Sequence, residues 1–136
     1  MSDIIDFSAG NFAHLGLGAT TVPLPTHTGE IEWYVGYGQD HATDGFEGRL
    51  VSMHTFTESW DTWEMHPNGS ELVLCTAGSV SLTQEAPDGT VSSVTISAGQ
   101  AVVNAPGVWH TADLIDGRPT TAVFITAGIG TEMRGR

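Results

Sequence analysis

The stretch Glu64-Met-His-Pro-Asn-Gly-Ser-Glu71 decides the fold of this chain, because it sets two carboxylates and an imidazole around a tight turn. The central Pro-Asn-Gly predicts a turn between two β-strands. Side chains two residues apart lie on one face of a strand, so Glu64 and His66 share a face before the turn. Glu71 opens the following strand. The stretch therefore predicts a cluster of polar side chains between neighbouring strands.

A second stretch, Gly107-Val-Trp-His110, adds another imidazole. Between the two stretches, Pro87-Asp-Gly89 predicts the tip of a β-hairpin. In a closed barrel, this short excursion brings both stretches to one interior point. Four donors then converge there, with one or two positions open for water or substrate: Glu64, His66, Glu71 and His110.

The remainder of the chain predicts an all-β protein. Short β-like runs separated by turn signals follow one another at the spacing of a sandwich or barrel. They cover residues 49–56, 60–66, 71–76, 79–84, 91–97, 100–104, 108–114 and 120–126. Glu30 to Tyr37 also reads as a strand, within N-terminal strands and loops over residues 1–40. Residues 128–136 read as a peripheral tail, and the whole of 1–136 as a single domain.

Composition and charge narrow the classes of function. The chain has 136 residues, 40% of them hydrophobic, which suits a single compact domain. It has no lysine and four arginines against 16 acidic residues, and its net charge of −12 argues against nucleic acid and anionic membranes as partners. No apolar run predicts a membrane span, and the N-terminus does not read as a signal peptide. A lone cysteine, Cys75, fits a reducing compartment. We expect a cytoplasmic protein.

The two stretches resemble the sequence motifs of the cupin superfamily, G-x5-H-x-H-x3-4-E-x6-G and G-x5-P-x-G-x2-H-x3-N. The chain is similar to a small single-domain cupin over residues 58–114. Matching positions are His66, Glu71, Gly78, Gly99, Gly107 and His110. Departing positions are Glu58 at the opening glycine, Glu64 at the first histidine, Ala105 at the proline and Leu114 at the final asparagine. The resemblance implies a jelly-roll β-barrel with its site inside.

The resemblance also implies a divalent metal ion held by His66, Glu71 and His110, with Glu64 as a fourth ligand. Two imidazoles and two carboxylates neutralise such an ion and favour manganese, iron or zinc over copper; nickel also remains open. This set predicts a metal-dependent dioxygenase, isomerase or lyase acting on a small organic molecule. Glu64 is then either a ligand or the catalytic base.

Two other interpretations remain open. Without a metal, Glu64 and Glu71 crowd each other, and one keeps its proton and serves as a general acid or base. Alternatively, the barrel binds or senses a small ligand without turnover, since a fold by itself does not select a function.

Several residues outside the motifs carry weaker expectations. His54 either faces inward as a replacement ligand or is an ordinary strand histidine, and Cys75 is expected to be an apolar filler. Three further histidines are expected to face solvent from loops: His14, His27 and His41. Trp60 and Trp109 beside the motifs, and Trp33 in the early strand, are expected either to line a pocket or to pack in the core or an interface. The resemblance further implies a homodimer, with Trp33 and Tyr34 as the candidate contact.

Overall fold

The computed structural model of the protein describes residues 4–136, which form eleven β-strands and one α-helix. The strands are β1 Ala13–Gly16, β2 Thr20–Pro23, β3 Arg49–Phe56, β4 Thr62–Met65, β5 Glu71–Ala77, β6 Ser79–Glu85, β7 Val91–Ser97, β8 Ala101–Asn104, β9 Trp109–Leu114, β10 Thr120–Thr126 and β11 Glu132–Gly135. The helix α1 is Ile31–Asp40, and 3₁₀ turns lie at Phe7–Ala9, Leu17–Ala19 and Ala42–Glu47.

The strands form two antiparallel sheets. The first has the order β2-β1-β3-β10-β5-β8 and the second the order β11-β4-β9-β6-β7. Consecutive strands repeatedly fall into different sheets, so the chain winds between the two layers. This architecture confirms the predicted all-β, cupin-like jelly roll.

The core lies between the two layers. Alternate side chains of β5 and β10 point inward from the first sheet, including Val73, Cys75 and Phe124. They pack against Val80 and Leu82 of β6 in the second sheet. The Cys75 side chain is fully buried, which agrees with its expected role as a small apolar filler.

The predicted β-like runs from residue 49 onward all appear as strands, and those at 49–56, 91–97 and 120–126 have the predicted bounds. The motif glycines lie in the turns that join them. Gly78 has φ +78°, and a Cβ atom there would lie 2.5 Å from the Pro119 carbonyl oxygen. Glycine has no Cβ atom, so it adopts this positive φ and allows the close approach of the carbonyl without strain.

The strand predicted for residues 30–37 is wrong, because these residues form most of α1. Their aromatic and β-branched side chains favour a strand locally, but packing decides otherwise. Trp33 and Tyr37, one helical turn apart, stack with ring centroids 5.8 Å apart. The Trp33 indole donates a hydrogen bond to the Pro25 carbonyl. A side-chain pair within the helix and a hydrogen bond to the preceding loop thus override the local strand propensity.

The C-terminal tail is tied to the barrel, since β11 pairs with β4 from Glu132 opposite Met65 to Gly135 opposite Thr62. Arg136 also binds the carboxylate of Asp113. Within residues 4–136, no helix is both long and apolar enough to cross a bilayer.

Candidate metal centre

The four predicted donors come from both sheets. Glu64 on β4 is paired in register with His110 on β9, and His66 directly follows β4. Glu71 opens β5 in the opposite sheet. The strand alternation that predicted their convergence therefore holds, because all four side chains meet inside the barrel.

The donor atoms lie close together and away from water. One donor atom each of Glu64, His66 and His110 falls within 4.8 Å of the others. Glu71 lies between the two imidazoles, with Oε2 3.1 Å from His66 Nε2 and Oε1 3.2 Å from His110 Nε2. Exposed fractions are 5% for His66, 3% for Glu71 and 1% for His110.

The hydrogen bonds of the Nδ1 atoms fix both histidine tautomers. The Thr131 hydroxyl donates to the Gly128 carbonyl, so it accepts from His66 Nδ1–H at 2.8 Å. His110 Nδ1–H donates to the Val108 carbonyl at 3.2 Å. Both Nε2 atoms therefore turn toward the donor cluster, as in histidines whose second nitrogen is oriented by an outer partner.

Neither Nε2 atom makes an aligned hydrogen bond within the described chain, although each is buried. Glu71 is within reach but lies off the N–H direction. Neutral Nε2 lone pairs facing a carboxylate are repulsive unless a cation lies among them. Protons on both imidazoles or one metal ion would meet this need. The residues present therefore fit a divalent metal, whose charge the two carboxylates of the cluster balance.

Glu71 is held by donors on both neighbouring strands. Asn104 Nδ2 donates to Oε1 at 3.1 Å, and the Thr126 hydroxyl donates to Oε2 at 2.6 Å. Gln84 in turn donates to the Asn104 side-chain oxygen at 2.7 Å. Burial opposes ionisation of Glu71, but the His110 and His66 imidazoles outweigh it and hold its pKa well below the usual range. Glu71 is thus a fixed carboxylate.

Glu64 has the opposite electrostatic environment. Burial, and then the charge of Glu71, raise its pKa above the usual value, against the smaller influence of the imidazoles. The charge of Glu64, in addition to burial, raises the pKa of Tyr34 on α1. Two carboxylates of one cluster are driven apart in pKa, a pattern common at functional sites.

Several residues of this network were not anticipated from sequence. Asn104, Thr126 and Thr131 orient the cluster, yet Thr131 is 65 residues from its partner His66. For Asn104 and Thr126, the strand register would have identified the contact, because Glu71 pairs with Asn104 on one side and with Thr126 on the other. That register is not readable from motif spacing.

Trp60 packs beside the donor cluster, with its ring centroid 6.3 Å from that of His110, whereas the remaining candidate residues lie apart from it. The His54 ring packs on Phe12, His27, Phe56 and Phe124 and is not among the grouped donors. Trp60 packs against the core, whereas Arg134 stacks over Trp109. The expectation of a solvent-facing His14 is wrong, because this side chain is 2% exposed. His27 and His41 are partly buried rather than free in solvent.

The architecture resembles solved structures of known enzymes. No protein-family model and no curated protein matches this sequence. A variant of oxalate decarboxylase from Bacillus subtilis matches with TM-score 0.57 and 16% identity, over 72% of this chain and 26% of that one. An oxalate oxidase matches with TM-score 0.54 and 16% identity, over 61% of this chain and 44% of that one. The chain has a cupin-like fold.

This cupin-like chain spans less than half the length of those enzymes. A further match, with TM-score 0.54 and 15% identity, is a structure of B. subtilis oxalate decarboxylase concerned with its Mn(II) centres. At such identities the likeness establishes the fold. The chemistry has to be argued from the side chains of this chain.

Proposed function

We propose that this protein is a divalent-metal-dependent enzyme acting on a small organic molecule inside its barrel. The observation that carries the proposal is the orientation of His66 and His110. Both imidazoles donate through Nδ1 and turn their buried Nε2 atoms toward Glu71 without an aligned hydrogen bond. The Mn(II) centres of oxalate decarboxylase, a structural neighbour, support the same choice.

The proposed ligands are His66 and His110 through Nε2, with Glu71 and Glu64 through carboxylate oxygens. When bound, the ion supplies a Lewis acid with positions open to substrate oxygens, as in a dioxygenase, isomerase or lyase. Asn104 and Thr126 hold Glu71 in one orientation. Manganese, iron, zinc and nickel all accept this mixed nitrogen and oxygen set.

The charges of the site favour a substrate that is not a dicarboxylate. The chain has no lysine, and none of its four arginines serves the cluster. Arg134 pairs with Glu85, Arg136 pairs with Asp113, and the other two are exposed. A divalent ion with two carboxylates has no net charge left to bind a dianion such as oxalate. We therefore propose a neutral or singly charged substrate that offers oxygen donors.

Glu64 supports a second candidate function. Burial raises its pKa, which suits a group that accepts and returns a proton during catalysis. In this alternative, catalysis needs no metal, and a Glu64 oxygen takes the proton from the substrate. The two candidates differ in one measurable property, which is survival of activity in a chelator.

The deciding experiment begins with metal analysis of untagged protein purified without chelators. We expect manganese, iron, zinc or nickel in the wild type, and loss of one equivalent in His110→Ala. His27→Ala is the matched control, since it removes a partly buried histidine outside the cluster. Loss of the metal in Glu64→Gln would assign Glu64 as a ligand, and retention would leave it free to act as a base.

Turnover is then screened by NMR and by oxygen uptake with panels of neutral hydroxy, keto and diol compounds. Activity that disappears in His110→Ala and in chelator supports the metal-dependent enzyme. Activity that survives chelator but is lost in Glu64→Gln supports acid–base catalysis. A wild type that neither contains nor takes up metal at the His110 site contradicts the main proposal.

A further inference from the structure

A second group of ligand-type side chains lies outside the barrel, where α1 meets the first sheet. It consists of His14 on β1, His41 at the C-terminal end of α1, and Asp44 in the following 3₁₀ turn. One donor atom of each lies within 4.8 Å of the others. We propose that this group binds a second divalent cation of the zinc class, which fastens α1 to the barrel.

His14 has the surroundings of a metal ligand. It is 2% exposed, although it is a histidine on a short edge-region strand. Its Nδ1 lies 2.6 Å from the Tyr37 hydroxyl, so one nitrogen is occupied by an orienting partner. Its Nε2 faces Asp44 Oδ2 at 2.5 Å. Zinc-bound histidines are usually oriented by a partner on the nitrogen that does not bind the metal, and Tyr37 would take that place for His14.

Two glycines leave space around His14 Nε2. A Cβ atom on Gly16 would lie 2.6 Å from the Thr20 hydroxyl oxygen, 2.8 Å from Asp44 Oδ2 and 3.3 Å from His14 Nε2. A Cβ atom on Gly48 would lie 2.8 Å from His14 Cε1. Neither glycine has a positive φ, so backbone strain does not require them. Both glycines thus leave room for the His14 and Asp44 side chains, and Gly16 also leaves room for Thr20.

His41 supplies the third donor. Its ring stacks on that of His14 with centroids 3.9 Å apart, and no hydrogen bond ties the His41 ring to another described side chain. Tyr37 lies in the last turn of α1, His41 caps that helix, and Asp44 lies in the 3₁₀ turn that follows. The sequence Tyr-x3-His-x2-Asp thus presents two ligands and the partner that orients His14.

Binding of an ion requires a small movement of Asp44. Two ligands of a tetrahedral zinc ion lie about 3.3 Å apart, given zinc–nitrogen and zinc–oxygen distances near 2.0 Å. The contact between Nε2 and Oδ2 must therefore open by roughly 0.8 Å while its bridging proton leaves. Asp44 lies in a partly exposed 3₁₀ turn, and His41 then turns its ring to complete the set. Water takes the fourth position.

The proposed ion has a structural consequence for α1. This helix contains no fully buried side chain, and Ile31 and Val35 are 73% and 53% exposed. Its attachment therefore depends on a few aromatic and polar contacts. A cation shared by β1 and the segment after α1 would fix the C-terminal end of the helix to the first sheet.

The test separates this cation from the one in the barrel. In the His66→Ala/His110→Ala double variant, we expect one equivalent of zinc by elemental analysis after dialysis against zinc chloride. We also expect visible d–d absorption bands when Co²⁺ is supplied. Adding Asp44→Asn or His41→Ala should remove both signals. Adding His27→Ala, which changes a histidine outside the group, should leave them.

Wild-type protein provides the second measurement, in case the double variant does not fold. In the otherwise wild-type protein, Asp44→Asn should lower the zinc content by one equivalent. The metal ion in the barrel, which His110→Ala removes, should be retained. Zinc content and Co²⁺ spectrum that are unchanged by Asp44→Asn overturn the proposal. So does the lack of any metal in a double variant shown to be folded by circular dichroism. Metal binding in the barrel is tested separately with His110→Ala, so the results can contradict one proposed site without contradicting the other.

Discussion

Thr131 accepts a hydrogen bond of 2.8 Å from Nδ1 of His66 and donates one from its own hydroxyl to the Gly128 carbonyl. This relationship joins the turn before β11 to the donor cluster inside the barrel. It also determines which His66 nitrogen faces Glu71. The C-terminal segment is therefore part of the site, although its sequence carries none of the motif residues.

Thr131→Val should weaken metal binding about 10- to 100-fold, as expected when the partner that orients a ligand histidine is lost. Without the hydroxyl, His66 is free to change tautomer and turn its ring. Affinity is measured by competition with a chromophoric chelator. Thr95→Val, at an exposed position of β7, is the control. Equal affinities for the two variants would contradict this role of Thr131.

Asn104→Leu should destabilise the protein by about 1–3 kcal/mol, the cost of leaving a buried polar group without its partner. Asn104 is 2% exposed, and the change removes both its bond to Glu71 and the acceptor used by Gln84. The free energy of unfolding is measured in urea. Gln84→Met is the companion variant and should cost less, because Glu71 keeps its donor. A larger loss of stability in Gln84→Met than in Asn104→Leu would contradict the view that Asn104 is the main partner of Glu71 in this network.

His54 should make the protein less stable as the solution is acidified. Burial, and then the nearby charge of His27, lower the pKa of His54. In the unfolded chain, His54 therefore binds a proton near pH 6.5, whereas in the folded protein it does so only at lower pH. The free energy of unfolding therefore falls as the pH decreases below about 6.5. The loss is at most about 1.4 kcal/mol per pH unit.

The measurement compares urea unfolding of wild type and His54→Met between pH 7.5 and pH 5, with chelator present throughout. As the pH falls, the wild type should lose more free energy of unfolding than His54→Met does. The His27→Ala variant should show a smaller dependence, because the His54 pKa then moves back toward its usual value. A difference that does not change with pH would show that His54 is protonated alike in both states.

Gly78→Ala should destabilise the protein more than Gly99→Ala. Both glycines have positive φ, +78° and +88°, so both substitutions carry the strain of the left-handed region, which is about 1–2 kcal/mol. At Gly78 the added Cβ also meets the Pro119 carbonyl oxygen at 2.5 Å, whereas nothing lies within 4 Å at Gly99. Thermal and urea unfolding of the two variants give the comparison. Equal losses would mean that the β9–β10 turn yields to the added methyl group.

The barrel and its donor cluster were predictable because both depend on local patterns. Turn residues divide the chain after residue 49 into strands, and alternation within a strand decides that Glu64 and His66 share a face. The family spacing then adds Glu71 and His110. The turns and the strand faces are set within a few residues, whereas Glu71 and His110 were placed by the longer spacing of the family motifs.

The parts that escaped prediction depend on contacts between distant segments. Helix α1 forms from residues with strand propensity because Trp33 and Tyr37 find partners in the N-terminal segment. His14 becomes buried only when α1 and the turn that carries Asp44 cover it. No sequence periodicity within residues 1–40 predicts these contacts between distant segments.

The division of the donor cluster between two sheets has a mechanical consequence. Glu71 belongs to the first sheet, and Glu64 and His110 belong to the second. A single ion bound by all of them would cross-link the layers at one end of the barrel. Amide hydrogen exchange in β5 and β9 would then slow together on metal loading, because neither strand could open locally without breaking the same bonds. Two layers that otherwise adhere through apolar packing would become one cooperative unit.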